Sequence, residues 1–451
     1  MKLLLAASEL YPFAKVGGLA DAVASLADAL AERGHEVYTI LPEYGFINTE
    51  GVFWKMENFT ITSIEKRENL LHLFVKHPIF ERKGIYGEDG KDYPDNFERF
   101  TFFSRAVVET AIKLDVDVLH LNDWHTAFAS LYRKVKFMGK PPVLYTIHNL
   151  AYQGWYEPSM ASKTGLEQKD FEPYLEKGMI NFMKIGILTA DLINTVSPTY
   201  AKEIQTPEYG EGLHEYLRSR KEDLYGILNG IDMDVWKPDF GNDPFKGKKE
   251  AKEKLQMELN LEKRDVPLFG IVSRLAEQKG IDILLGCIKR FLSMDVQFVL
   301  LGTGDPKYHQ EFEKIGKEFP RKTSINLRFD AELALDIYRG SDFFLMPSRF
   351  EPCGLGQMIA LVNGTIPVVR KTGGLADTVM DFNPETGEGN GFVFEEYTPE
   401  ALLKAIKRAV DVFQDKENLK KLVERGLTSD FSWNVSAGRY EELYRKLSGT
   451  S

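Results

Sequence analysis

Arg274 and Lys279 share one loop, Ser273-Arg274-Leu275-Ala276-Glu277-Gln278-Lys279-Gly280, directly after the apolar run Leu268–Val272. Two cations in a strand-to-helix loop can converge on one diphosphate, the arginine as a planar fork and the lysine as a point charge. A second chemical stretch runs from Ser341 to Val379. It offers the carboxylate of Glu351, followed by Pro352, Cys353, Gly354 and Leu355, and then Thr372-Gly373-Gly374-Leu375-Ala376-Asp377. Glycines that open a helix can present backbone N–H groups to an anion, and the helix dipole favours it. Lys15-Val16-Gly17-Gly18-Leu19-Ala20-Asp21 repeats that chemistry near the start of the chain, with Lys15 adding charge. Polar tips end other apolar runs: Asn122-Asp123-Trp124-His125, His148-Asn149-Leu150 and Gly302-Thr303-Gly304-Asp305. A lone Gly-Gly pair or GxGD turn is weak evidence of a ligand. A histidine at a strand end is more often structural, and His125 can equally cap the helix that follows it.

Strands and helices must hold these groups. Lys2–Ala7, Glu36–Leu41, Val116–Leu121, Val143–Ile147 and Leu192–Val196 read as strands of a first domain, with helices over 19–33 and 96–114. Phe53–Ile64 and Leu70–His77 suggest short strands or a hairpin. Ile85–Asn96 reads as a rim loop, and 167–189 as helices. A Pro, Gly, Asn and Asp cluster after Asn229-Gly230-Ile231-Asp232 places the domain boundary near Pro238–Lys246. The second domain opens with a helix over 248–259. Strands Leu268–Val272, Gln297–Leu301, Phe343–Pro347 and Ile366–Val369 follow, with helices over 357–362, 399–413 and 435–447. The expected division is 1–240, 241–430 and a terminal helical segment 431–451. The chemical groups then fall at the C-terminal ends of parallel strands, where open α/β sheets bind ligands.

Composition narrows the function. A chain of 451 residues with 43% hydrophobic and 27% charged residues is that of a soluble two-domain globular protein. A net charge of -10 argues against nucleic acid as a partner. Cys287 and Cys353 are the only cysteines, which fits a reducing cytoplasm and no disulfide framework. The opening MKLLLAAS reads as a buried strand, since its apolar run is short and Glu9 interrupts it. No segment approaches the ~20 apolar residues of a membrane span. Asp115-Val116-Asp117 and Asp232-Met233-Asp234 resemble a metal-binding DxD, but the first begins a buried strand and the second lies in the linker. No metal is expected. A dinucleotide oxidoreductase is excluded, because no GxGxxG follows the first strand.

The stretches PSRFEPCGLGQ, RKTGGLADTV, SRLAEQKG, KVGGLAD, NDWH, TIHNLAYQG and TPEYGEGL together resemble bacterial and plant-type glycogen and starch synthases, a family of retaining glycosyltransferases. The likeness covers nearly the whole chain. It implies the α/β GT-B architecture, two doubly wound Rossmann-like domains facing across a cleft, with the last helix crossing back to the first. Ile359, eight residues after Glu351, fits this branch, since many related transferases carry a second glutamate there. Gly356 departs from the family's usual threonine, which puts a hydroxyl contact to phosphate in question.

The resemblance implies transfer of α-glucose from ADP-glucose to the non-reducing 4-OH of an α-1,4-glucan such as glycogen or a maltooligosaccharide. Transfer is by a front-face route with retention, without metal or other cofactor. It assigns Arg274 and Lys279 to the departing diphosphate, Asp123 and His148 to the transferred glucose, and Glu351 to sugar hydroxyls. Donor-binding candidates are Lys15, Gly17, Gly18, Asp21, Tyr93, Asn149, Asn229, Gly304, Cys353, Gly354, Leu355, Thr372, Gly373 and Gly374, with Gln153 nearby. Two alternatives remain at this point: a transferase of the same fold using UDP-glucose or another acceptor, and a glucan-binding protein without catalysis. Oligomeric state is not legible in the sequence.

Overall fold

The computed structural model describes residues 1–49 and 51–449. The chain forms two compact units. Met1–Gly230 and the segment from Trp433 onward make the first, and Ile231–Ser432 the second. The unit boundary thus falls at Gly230, before the Pro- and Gly-rich stretch. That stretch is ordered by caps: Asp232 accepts from the amides of Asp234 and Val235, and Asp243 from those of Phe245 and Lys246. The helix behind Asp243 therefore begins early, at Pro244.

The first unit is built on a nine-stranded sheet. Its strands are β1 (Lys2–Ala6), β2 (Glu36–Pro42), β3 (Val52–Lys55), β4 (Thr60–Arg67), β5 (Leu70–Lys76), β6 (Val118–Asn122), β7 (Val143–Ile147), β8 (Leu192–Thr195) and β9 (Leu224–Gly226). The order across the sheet is 9-8-7-6-1-2-5-4-3. Pairing is parallel from β9 to β5, and antiparallel where β4 meets β5 and β3. The parallel strands are apolar along their length because both faces are covered. Helices α1 (Gly18–Glu32), α2 (Asn96–Leu114) and α3 (Trp124–Lys136) follow β1, β5 and β6.

Two short stretches differ from the sequence reading. Within 167–189, expected to be helical, Leu175–Glu176 and Met179–Asn181 pair as antiparallel strands, and Trp155–Tyr156 joins them. The cause is the turn between them. Lys177 and Gly178 both adopt positive φ, 49° and 76°, the geometry of a two-residue hairpin turn. Helix resumes at Phe182–Thr189, where Asn181 caps it through the Lys184 amide. The expected loop 85–96 carries a similar tiny hairpin around Asp89-Gly90.

The second unit is a six-stranded parallel sheet of β10 (Leu268–Val272), β11 (Gln297–Leu301), β12 (Thr323–Asn326), β13 (Phe343–Met346), β14 (Ile366–Arg370) and β15 (Phe392–Phe394). The order is 12-11-10-13-14-15. Among its helices are α4 (Ile281–Leu292), α5 (Ala331–Gly340), α6 (Gly356–Val362) and α7 (Gly373–Thr378). Phe269, Phe291, Phe298 and Phe343 stand at the centre of its core.

The last helix, α8 (Trp433–Ser448), belongs to the first unit. Tyr440 and Tyr444 are buried with Leu3, Leu5, Leu26 and Leu30. A polar chain ties α8 to the sheet: Tyr444 to His120, His120 to Thr146, Thr146 to Asn194, and Asn194 to Tyr440. Every member is satisfied, which is what a buried polar network requires. Among the described residues, no helix is long and apolar enough to cross a membrane. Both cysteines are buried, and neither forms a disulfide among the described residues.

Candidate active site

In each unit the sheet order reverses beside its first strand. In the second, β11 lies on one side of β10 and β13 on the other, so the loops after β10 and β13 splay apart and leave a crevice. Arg274 and Lys279 come from the first of these loops, Glu351 from the second. A cleft of about 170 Å³ is lined by Ser273, Arg274, Lys279, Tyr338, Ser348, Glu351, Gly354, Leu355 and Gly356, among others. A wider groove of about 940 Å³, bounded by Glu250, Lys254 and Met257, lies on helical surface away from the strand tips.

Lys279 Nζ lies 2.9 and 2.8 Å from the two oxygens of Glu351. The Ser348 hydroxyl donates to the same carboxylate at 3.0 Å. Glu351 is buried, so this pairing is what makes its charge tolerable there. Residues so distant in sequence meet because the two loops are stitched by backbone. The Arg349 amide donates to the Gln278 carbonyl. Gly280, at φ 74°, lies so close to Pro347 that a β-carbon would fall 1.9 Å from its carbonyl oxygen. Arg274 is exposed, and its guanidinium donates to the Gln278 side-chain oxygen at 3.2 Å. Its guanidinium retains donors for a ligand.

The glycines after Thr372 serve differently from the sequence reading. A β-carbon at Gly373 would sit 1.8 Å from the Glu351 carbonyl oxygen, and one at Gly374 1.9 Å from that of Cys353. The Gly374 amide already donates to the carbonyls of Glu351 and Pro352. These glycines let the Glu351 loop lie against β14's C-terminal end, and the Gly374 amide is not an open anion donor. The helix they open, α7, has only six residues. Thr372 is buried beneath the same loop. Gln357 completes the support, donating to the carbonyls of Cys353 and Gly354 and to the Thr378 hydroxyl. Gly304 packs on Leu275, where a β-carbon would lie 2.2 Å from the carbonyl oxygen, and its amide donates to His309 Nε2.

Gly356 has a local explanation. A β-carbon there would lie 3.1 Å from Phe344, 3.2 Å from Met346 Sδ and 3.2 Å from the Tyr338 hydroxyl. A side chain at this position would crowd all three neighbours.

In the first unit the switch point lies between β1 and β6. Asp123, just past β6, holds an unusual φ of 58°. Its Oδ1 accepts from the amides of His148 and Asn149 at 2.7 and 3.3 Å. The side chain thus joins the tips of β6 and β7. Burial pushes the Asp123 carboxyl up to about 7, although the two amides oppose the shift. His148 Nε2 lies 2.8 Å from Asn122 Oδ1, and burial lowers its pKa to about 4, so the ring is neutral. Gln153 is buried and bonds to Asn181. His125 is enclosed by Tyr86, Phe100 and Trp124, with burial lowering its pKa to about 3. It is part of an aromatic core.

Lys15 pairs with Asp21 at 2.7 Å, both half exposed. Gly17 and Gly18 face open space, with nothing within 4 Å of a β-carbon. The Gly17 amide, read from sequence as a phosphate donor, is instead bonded to Glu9 Oε2 together with the Val16 amide. Glu9 Oε1 accepts from the Tyr86 hydroxyl at 2.6 Å, and Tyr86 also meets Ser8. Glu9 and Tyr86 therefore hold the loop 15–18, a support that the sequence reading missed. The available signal was an acid placed directly after a buried strand. Tyr93 stands apart: its hydroxyl accepts from the Gly84 amide and its ring lies under Arg82 and Arg99. Asn229, past β9, has a buried Oδ1 with no partner among the described residues.

Three of the four aspartates in the two DxD-like stretches have structural work. Asp117 accepts from the Lys2 amide and Asp232 caps a helix. Asp115 ends α2 in the left-handed region.

The starch synthase catalytic domain family matches residues 2–219, and the glycosyl transferases group 1 family matches residues 252–427. The chain is 46% identical to a glycogen synthase of Geotalea daltonii, over 99% of this chain and 98% of that protein. It is 44% identical to a glycogen synthase of Kosmotoga olearia, over 99% and 98%. Among solved structures, the catalytic domain of starch synthase IV from Arabidopsis thaliana, bound to ADP and acarbose, matches with a TM-score of 0.85 at 36% identity, covering 99% of each chain. Sucrose-phosphate synthase from Thermosynechococcus elongatus shares the fold, with a TM-score of 0.63 at 19% identity over both whole chains. Sequence identity over the full chain and the two strand-tip sites agree: this chain belongs to the glycogen synthase family of glycosyltransferases, with the two-domain GT-B fold.

Proposed function

We propose that the chain is a glucosyltransferase that extends an α-1,4-glucan from ADP-glucose, with retention and without a metal, in the cytoplasm. The observation that carries this reading is the pairing of Lys279 with the buried Glu351, beside Arg274, at the strand tips of the second unit. Membership of the glycogen synthase family supports a nucleotide-sugar donor and a glucan acceptor.

The chemistry follows from charge. As the bond from C1 of glucose to the diphosphate oxygen breaks, negative charge grows on the diphosphate. Lys279 and Arg274 stabilise it from fixed positions, which is worth most in a site shielded from water. Positive charge grows at the sugar ring. Glu351 holds sugar hydroxyls, and Asp123 and His148 form a buried polar wall for glucose. The acceptor 4-oxygen bonds C1 from the face the diphosphate leaves, and its proton passes to the departing diphosphate oxygen. No side chain need act as a covalent nucleophile. The cations take the place a divalent metal fills elsewhere.

The test is incorporation of glucose into glycogen from ADP-glucose and from UDP-glucose in parallel, with and without EDTA. Preferred use of ADP-glucose, undiminished by EDTA, is expected. Preference for UDP-glucose overturns the donor assignment, and loss with EDTA that added Mg²⁺ restores overturns the metal-free mechanism. No incorporation from either donor contradicts the proposed enzyme.

A further inference from the structure

Tyr338 lies on α5, outside every motif that the family resemblance rests on. Its ring is stacked on Phe344 of β13, 4.7 Å between centroids, and meets the edge of Trp236. The residue is only 4% exposed. Its hydroxyl nevertheless makes no hydrogen bond to any described residue, and it lines the cleft that holds Arg274, Lys279 and Glu351. Burial raises its pKa above the ordinary tyrosine value, so the group is a donor throughout the working pH range.

A hydroxyl that opens on a cleft without a protein partner can donate to a ligand bound there. The surrounding groups say which kind. Glu351, the carboxylate of this cleft, already accepts from Lys279 and Ser348. Arg274 and Lys279, the two cations of the cleft, attract an anion. Gly356 leaves room beside the hydroxyl, because a β-carbon at that position would come within 3.2 Å of it. We infer that the Tyr338 hydroxyl donates a hydrogen bond to a diphosphate oxygen of the bound nucleotide, positioning the leaving group beside Lys279 and Arg274. The inference rests on the nucleotide-sugar reading of this cleft. It adds a positioning residue delivered from α5, opposite a glycine that clears its path.

The test is calorimetric binding of ADP to the full-length chain and to Tyr338→Phe, with adenosine measured beside it as a competitor. Phenylalanine keeps the stacking on Phe344 and removes only the hydroxyl, so the melting temperature should hold within a degree or about that. The expected result is an ADP dissociation constant raised about tenfold, as for a lost hydrogen bond to a charged group, with adenosine competition unchanged. An ADP affinity within about twofold of the unsubstituted chain overturns the inference and makes Tyr338 a packing residue. Equal losses for ADP and adenosine also overturn it, since the contact would not be to phosphate. If the unsubstituted chain does not bind ADP, the nucleotide-sugar reading itself fails and this inference with it.

Discussion

Asp123 turns a strand tip into a titrating group. It is buried, it joins two loops through a pair of amides, and its carboxyl titrates near pH 7. An unfolded aspartate loses its proton near pH 4. The folded chain therefore holds that proton to higher pH. Its contribution to stability is complete below about pH 4 and is lost as the pH rises towards 7, by roughly 3–4 kcal/mol at most. Asp123→Asn keeps an acceptor oxygen for the amides and removes the titration. Denaturant unfolding at pH 5 and pH 8.5 should show the unsubstituted chain losing stability relative to Asp123→Asn between the two. Equal pH dependence would contradict a raised Asp123 carboxyl. Turnover should move the other way: an ionised Asp123 stabilises positive charge on glucose, so activity rises through neutral pH, and that limb should be absent in Asp123→Asn. At this scale the sequence names chemistry well where a motif is continuous, as in SRLAEQKG and PSRFEPCGLGQ. It does not say which acceptor takes a given amide. The Gly17 and Gly374 amides looked available because the sequence does not place Glu9, or the carbonyls of 351 and 352, against them.

Elements bring distant groups together, and here backbone contact does the work. Gly280 has both a left-handed φ and a β-carbon position within 1.9 Å of the Pro347 carbonyl oxygen. Only glycine meets both demands. Gly280→Ala should force the two loops apart, lower stability by about 2–4 kcal/mol, and separate Lys279 from Glu351. Turnover should then fall at least tenfold in protein that is still folded at low temperature. Activity and melting both unchanged would remove the stitch from the account. The docking of α8 gives a second prediction. Arg33 meets Glu441 through two bonds of 2.8 Å, and His35 adds one of 2.7 Å. The Arg33 bonds hold the Glu441 carboxyl down near 2, with His35 assisting. This stabilisation is present above the unfolded glutamate pKa of about 4.3 and is lost as pH falls towards 2. Glu441→Gln should cost about 2 kcal/mol at neutral pH and flatten acid unfolding, read by circular dichroism. The ends of α2 and of β7, β10 and β11 were legible because apolar runs met capping or turn residues. The hairpin at Lys177-Gly178 was not, because Lys-Gly has no strong positive-φ preference to mark a two-residue turn.

The whole molecule repeats one plan in two units: a parallel sheet, a reversal of strand order, and chemistry at the tips beside the reversal. Alternation of apolar runs and glycine-ended helices made the fold class readable. The edge of the first sheet was less so, since β3 and β4 are partly exposed and their pattern is weak. The unit boundary was read too late in the chain, because a Pro- and Gly-rich composition marks turns whether or not they are linkers. Those turns lie inside the second unit, held by Asp232 and Asp243 caps. The proposed mechanism turns on one step, neutralisation of a departing diphosphate by the cleft of the second unit. The most direct measurement is steady-state transfer from ADP-glucose to a maltooligosaccharide by the full chain and by Lys279→Ala, with circular dichroism as the check on folding. A kcat reduced by about two orders of magnitude or more in a folded variant is the predicted result. A folded Lys279→Ala with the kcat of the unsubstituted chain would contradict it.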